Sequence, residues 1–148
     1  MSSDPIFIIE VCQNCAQHQW NTRHNEEKYN NYFKMMATAI VEKIPNAVVM
    51  RNQIPKDFMN YDCYINLVPN EDPNIPYFQQ IPRIGAFEVS HNGLVIFSKF
   101  MSHQWPNWTS VAEKCQLVFE NLKLGRDTSQ FLAGMGRQPD GSYGPISR

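Results

Sequence analysis

The feature that most constrains this chain is a run of nine residues near its start, Phe7-Ile8-Ile9-Glu10-Val11-Cys12-Gln13-Asn14-Cys15. The apolar, β-branched part alternates little and reads as a buried strand over residues 6–11. It ends in two cysteines separated by two residues, and a polar stretch and a long helical pattern follow. That order places Cys12 and Cys15 at the carboxyl end of a strand, ahead of a helix. A Cys-x-x-Cys pair in this setting is suited to thiol redox chemistry.

Residues 16–28 are polar and carry His18, Trp20, His24, Glu26 and Glu27. Asn25 reads as a helix N-cap with acids in the first turn behind it. Tyr29, Phe33, Met36, Ile40 and Ile44 then recur three or four residues apart, which makes one helical face apolar until Pro45-Asn46 stops it. Ala47 to Met50 is a second strand, and Asn52 to Lys56 is turn-like. Tyr61 to Leu67 alternates as a short strand would, whereas Pro69, Pro73, Pro76 and Pro82 predict an irregular surface loop over residues 68–82.

Two β-rich runs, Ala86 to Val89 and Leu94 to Phe97, flank His91-Asn92-Gly93, and the Asn-Gly pair predicts a hairpin with His91 solvated beside its turn. Glu88 falls on the polar face of its strand by alternation. After Trp105-Pro106, either Asn107 or Thr109 caps a last helix. Its buried stripe is Val111, Cys115, Val118 and Leu122, and Gly125 fits its C-cap. Cys63 and Cys115 read as small apolar core residues. Trp105 and Trp108, with Trp20, close the core's edge or form an aromatic patch. The resulting plan is a two-layer α/β domain over residues 5–125. Beyond it, Gly134, Gly136, Gly141 and Gly144 with Pro139 and Pro145 deny residues 126–148 regular structure. This extended Gly/Pro-rich tail is expected to be disordered unless a protein partner orders it.

A chain of 148 residues can bury one core. Its formal net charge of −1 gives no general attraction to nucleic acid or to an acidic membrane surface. The N-terminus shows no basic n-region, and the apolar run behind it is too short for a signal peptide or a membrane span. Together with four irregularly spaced cysteines, this predicts a cytoplasmic protein in a compartment that keeps thiols reduced. No phosphate loop, Ser/His/Asp set or basic-aromatic stripe is present, so no cofactor and no nucleic acid are expected.

Three motifs occur in one order: the strand ending in Cys12-Gln13-Asn14-Cys15, the string from Arg83 through Gly85-Ala86-Phe87-Glu88-Val89, Asn92-Gly93 and Phe97-Ser98-Lys99, and Trp105-Pro106 before the last helix. Together they resemble the Rdx family, the selenoprotein W-like proteins of thioredoxin fold, including the migration-and-invasion-enhancer type. The likeness covers residues 6–15, roughly 29–50 and 83–124. It implies a thioredoxin-like β-α-β-β-β-α domain with a mixed sheet. It also implies thiol–disulfide exchange at Cys12 and Cys15, linked to glutathione or a thiol protein. In selenium-containing relatives the second motif position carries the selenium, and Cys15 would be its sulfur counterpart. Residues 16–28 and 57–82 stand out as insertions, and the tail as an extension.

The chemistry expected of Cys12 and Cys15 is attack of a thiolate on a disulfide sulfur, with the other cysteine resolving the mixed disulfide. Activation calls for a cation or a helix terminus, and Arg23, His18 and His24 are the nearby cations. Cys12, Cys15, His18 and His24 also form an acceptable zinc set, but their compact spacing departs from two-arm zinc fingers. The alternative to a redox protein is a structural or adaptor subunit of a large assembly, such as a ciliary axoneme. Such a subunit would dock through its insertions and through a partner bound to the 126–148 tail.

Overall fold

The computed structural model describes residues 4–12, 26–58, 61, 63–70, 72–83, 85–133, 135–137 and 143–145. In chain order, β1 (Ile6–Val11) leads to α1 (Glu26–Lys43), β2 (Val48–Arg51) and β3 (Gln53–Pro55). Then come β4 (Leu67–Pro69), β5 (Tyr77–Gln80), β6 (Phe87–His91) and β7 (Leu94–Ser98). A short α2 (Lys99–Ser102), the long α3 (Trp108–Lys123), β8 (Met135–Arg137) and β9 (Tyr143–Pro145) complete the order. The central sheet has the order β2-β1-β6-β7. β2 runs parallel to β1, while β6 is antiparallel to β1 and β7 to β6. A parallel pair needs a crossover, and α1 supplies it.

One face of this sheet carries α1 and α3. Phe7, Ile9 and Val11 of β1 pack there with Phe87 and Val89 of β6, against Met36 and Ile40 of α1 and Val111, Cys115 and Val118 of α3. Ile8 faces the other way and packs with Ile54 and Tyr64. Covered on both sides, β1 has no need to alternate. β7 holds the register through a bulge: Val89 pairs with Phe97 but Ser90 with Val95, which leaves Ile96 as the extra residue. Ile96 and Phe97 therefore both join the helix-side core, and Ser98 returns to the opposite face across from Glu88.

The ends of α3 follow their sequence signals. Asn107 accepts the Ser110 N–H at 3.0 Å through Oδ1. At the other end Gly125 takes φ +69°, with Gly125 N–H bonded to Leu122 O at 3.1 Å and Arg126 N–H to Asn121 O at 2.8 Å. These are the two bonds of a Schellman cap. Leu122 departs from the expected stripe. The last turn of α3 passes the β6–β7 turn, where Leu122 borders a surface hollow with His91 and Asn92 and is 36 % exposed.

The largest departure lies between residues 52 and 82. The turn-like Asn52–Lys56 stretch contains β3, and the expected irregular loop contains β4 and β5, which form a second sheet of order β3-β5-β4. The prolines permit this because of where they fall. Pro55 and Pro69 sit on the outer strands, Pro76 and Pro82 flank β5, and the central Tyr77–Gln80 contains none. The alternating Tyr61–Leu67 run is not a strand before Leu67. Its aromatics instead grip the β6–β7 turn: Gly93 N–H bonds Tyr64 Oη at 3.3 Å, and Cys63 Sγ reaches Gly93 O at 3.4 Å. Gly93 has φ +82°, and a Cβ there would come within 2.5 Å of the Tyr61 ring. Glycine is required at that position both by the turn and by the packing.

The tail also departs from expectation in part. Phe131 and Leu132 pack on the main core, and the Ala133 N–H bonds Val95 O at 2.8 Å on the open edge of β7. β8 and β9 pair antiparallel further on. For residues 128–133 the partner is the domain itself. Among the described residues no helix is long and apolar enough to cross a membrane.

His91, expected to be solvated, is buried. It stacks on Phe7 with ring centroids 4.5 Å apart, and its Nδ1 lies 2.7 Å from Ile6 O. β6 pairs beside β1 with His91 opposite Phe7, and Phe119 of α3 meets the imidazole edge-on, so a strand-end residue becomes an interior one. A carbonyl only accepts, so Nδ1 carries the proton and donates. Burial lowers the imidazole pKa from 6.5, with the bond to Ile6 O opposing. In the window from its folded pKa up to 6.5 the unfolded chain binds more protons, so stability falls as pH drops through it. Urea unfolding between pH 7.5 and 5 should show this loss of stability, and His91→Gln should flatten that component of the curve.

Candidate functional site

Cys12 directly follows β1 and is 1 % exposed within the helix-side core. Its N–H donates to Ala86 O at 3.1 Å, which ties it to the loop ahead of β6. Two side chains fix the backbone on either side of that contact.

The first is Asn52, which lies just past the end of β2 and is 3 % exposed. Its Oδ1 accepts the Val11 N–H at 2.8 Å and its Nδ2 donates to Val11 O at 2.9 Å. The carboxamide thus takes the place of one more residue of parallel strand, and it satisfies both backbone groups of the residue before Cys12. Asn52 can do so because it adopts φ +53°, a conformation that asparagine tolerates better than most residues. Its own N–H bonds Ile9 O at 3.1 Å and its carbonyl accepts the Gln80 N–H at 2.8 Å, so it also joins the two sheets.

The second is Glu10, which is 5 % exposed. Its Oε2 accepts the Arg83 backbone N–H at 2.8 Å and Nε–H at 3.1 Å, and its Oε1 accepts from Nη2 at 2.8 Å. The hydrogen bonds with Glu10 are the main reason the Arg83 pKa is raised. This fork pins the start of the 83–86 loop to β1, two residues before Cys12. At the loop's far side Lys99 Nζ donates to Gly85 O at 3.2 Å and lies 5.0 Å from the Trp105 ring centre. Glu88 in turn holds the start of α2, accepting from the Lys99 N–H at 2.7 Å and from the Ser98 hydroxyl. Burial raises the Glu88 pKa, and these hydrogen bonds oppose the rise.

Trp105 packs edge-on against Tyr29, Tyr32 and Phe87, with Lys28 5.3 Å from its ring centre. Trp108 meets Tyr32 and Phe87 as well. Both tryptophans are half-buried and close the core's edge on the Phe87 side of the sheet. Lys99 thus brings one ammonium group to the loop that holds Cys12, while Lys28 lies over the Tyr32 and Trp105 rings. Cys115 is a core residue, its thiol pushed up to about 12 by burial. Cys63 is half-buried on the opposite face of the sheet.

Cys15, His18, Trp20, Arg23, His24, the Asn25 cap and almost all of the 16–28 insertion lie outside the described residues. Of the four zinc candidates only Cys12 is described. Among the described residues no group of three or more His, Cys, Asp or Glu side chains is placed to hold a metal. Sequence reasoning missed Asn52, Glu10–Arg83 and Lys99 as positioning residues. Arg83 and Lys99 bracket the string that carries the family resemblance, whereas a lone asparagine in a turn gives no such signal.

Asn52→Ala should destabilise the domain by about 2–4 kcal/mol, because it strands two buried backbone groups and forces a left-handed φ on alanine. Asn52→Gly removes the strain but not the loss, and should recover only about 1 kcal/mol of it. Urea denaturation of the two variants checks this; a glycine variant as stable as the parent would show that the clamp contributes nothing.

Comparison with curated proteins and with solved structures finds no match. The family model described as the Rdx family matches residues 7–117. That span runs from β1 through most of α3, and it includes Cys12, the 83–86 loop and the hairpin. The sheet order and the helix-side packing agree with the thioredoxin-like plan of that family. The chain belongs to the Rdx family.

Proposed function

We propose that this protein is a thiol–disulfide redox protein in which Cys12 and Cys15 act as the pair. The observation that supports this most is the placement of Cys12 at the carboxyl end of β1, its backbone held by Ala86 and, through Val11, by Asn52. A firmly held backbone at one thiol is what exchange chemistry needs, because the attacking and resolving sulfurs must come into line.

At 1 % exposure Cys12 is poorly placed to meet a disulfide on another molecule. The reading therefore gives Cys15 the first attack: its thiolate bonds one substrate sulfur and the other leaves as a thiolate. Cys12 then attacks Cys15, which forms the intramolecular disulfide and releases the second substrate sulfur. Two electrons pass from the cysteine pair to the substrate, and glutathione or a thiol protein in the cytoplasm would restore the reduced pair.

A second reading, a protein-docking adaptor, is favoured by one observation. Ile65, Val68, Ile75 and Ile81 on the inserted segment are each more than a third exposed. Exposed large apolar side chains on one segment outside the core suit a protein partner.

Mass spectrometry across a glutathione redox series tests the leading reading, with an intramolecular Cys12–Cys15 disulfide of definable potential as the expected result. Both thiols staying reduced throughout would overturn it. Replacing both cysteines with Ser should abolish function under the redox reading and spare it under the adaptor reading. Deleting residues 134–148, which leaves the docked 128–133 segment in place, should do the reverse.

A further inference from the structure

The face of the central sheet away from the helices is not bare. A cleft of about 330 Å³ lies on it. Its floor includes Ile8 and Glu10 of β1, Glu88 and Ser90 of β6, and Val95 and Ser98 of β7. Its walls come from the two segments that extend this chain beyond the thioredoxin-like plan: the insertion contributes Tyr64, Ile65 and Gln80, and the tail contributes Ala133. Cys12 packs on the helix side, so this cleft is separate from the site proposed for thiol exchange.

The polar groups of the cleft are unequally satisfied. Arg83 commits its backbone N–H, its Nε–H and one Nη2 N–H to Glu10, its remaining guanidinium N–H groups belong to a side chain that is 40 % exposed, and the Ser98 hydroxyl goes to Glu88. Acceptors are left over. Gln80 is 2 % exposed, its Nε2 donates to Ile65 O at 3.1 Å, and its Oε1 has no hydrogen-bond partner. The Nε2 bond sets the orientation of the amide, so the unpartnered atom is the carbonyl oxygen. A buried acceptor left in this state is costly, and a donor that reached it would recover that cost.

Each carboxylate can accept about four hydrogen bonds. Glu10 accepts three, all from Arg83, and Glu88 accepts three, from Ser98, Lys99 and Phe100. Two carboxylates against one guanidinium also leave a single excess negative charge among the lining residues. Much of the rest of the lining is apolar, with Ile8, Val95, Phe100 and Met101 prominent, and the Ser90 and Tyr64 hydroxyls there bond each other.

We propose that this cleft is a binding site for a small organic cation, a primary amine or amidine carried on a compact apolar body. The ammonium N–H groups bond Gln80 Oε1 and the open acceptor positions of Glu10 and Glu88. The apolar body lies against Ile8, Val95 and Met101, and Ala133 closes the end of the cleft. The occupant is selected by chemistry that the thiol pair does not share.

Benzylamine, benzyl alcohol and benzoate, three ligands of one shape and different charge, provide the test on the full chain by amide-resolved NMR titration. Saturable shifts for benzylamine, centred on Gln80 and Val95, with at least tenfold weaker binding of the other two, are the expected result. Gln80→Leu should weaken benzylamine at least fivefold. Ala133→Trp, on the surface-docked tail, fills the cleft without touching the core and should abolish benzylamine binding while leaving the Cys12–Cys15 couple unchanged. Absence of saturable benzylamine binding, equal or tighter binding of benzoate or the alcohol, or unchanged binding in Ala133→Trp would each overturn the proposal. Should Gln80→Leu fail to fold, Glu88→Gln serves in its place, with the same fivefold weakening expected and unchanged affinity counting against the site.

Discussion

The arrangement depends on how β1 is ended. A strand that runs parallel to its neighbour must leave the ladder somewhere, and each backbone group it leaves behind needs a partner. Here the ladder between β1 and β2 stops at Ile9 and Arg51, and the side chain of Asn52 supplies the next pair of bonds to Val11. The same residue takes a left-handed turn and passes its carbonyl to Gln80, which launches the second sheet. One carboxamide thus closes the strand, sets the position from which Cys12 projects, and directs the chain to the far face of the sheet.

That far face explains most of what distinguishes this chain. In a two-layer domain it would meet water, and its Glu10, Glu88, Ser90 and Ser98 would be ordinary surface residues. The inserted β3–β5 sheet and the docked tail cover it instead, so those polar groups had to find partners inside the protein. Glu10 found Arg83, Glu88 found the start of α2, and Ser90 found the Tyr64 hydroxyl at 2.8 Å. These bonds hold the 83–86 loop and, through it, the backbone of Cys12. The coverage that makes a cleft on one face therefore also helps hold the backbone of Cys12 on the other.

Legibility followed the range of the signal. The β1 run, the α1 stripe, the Asn92-Gly93 turn, the Asn107 cap and Gly125 all act within a few residues, and each appears in the fold where its chemistry requires. The errors have a different origin. The prolines of residues 68–82 predict broken structure, yet the central strand β5 contains none: Pro69 lies on an outer strand, and Pro73, Pro76 and Pro82 fall between or beside strands. His91 beside a turn reads as solvated until β1 pairs alongside it and α3 packs on its ring. Leu122 completes a helical stripe, but α3 outruns the surface it packs on at that point. Each miss concerns what lies opposite a residue, and spacing along one segment does not carry that information.

The sequence by itself determined the element types of the thioredoxin-like core, their order, the place of Cys12 at a strand's end and the membership of the Rdx family. Those properties rest on local dihedral preference, hydrophobic period and a short motif string, which are written in consecutive residues. Only the tertiary structure decided that the insertion is a sheet, that residues 128–133 dock on the β7 edge, and that Asn52, Glu10 and Arg83 support the site. These rest on pairings across tens of residues, such as Asn52 with Val11 and Arg83 with Glu10. A buried polar group selects its partner by position in space, and that position exists only once the sheet has formed.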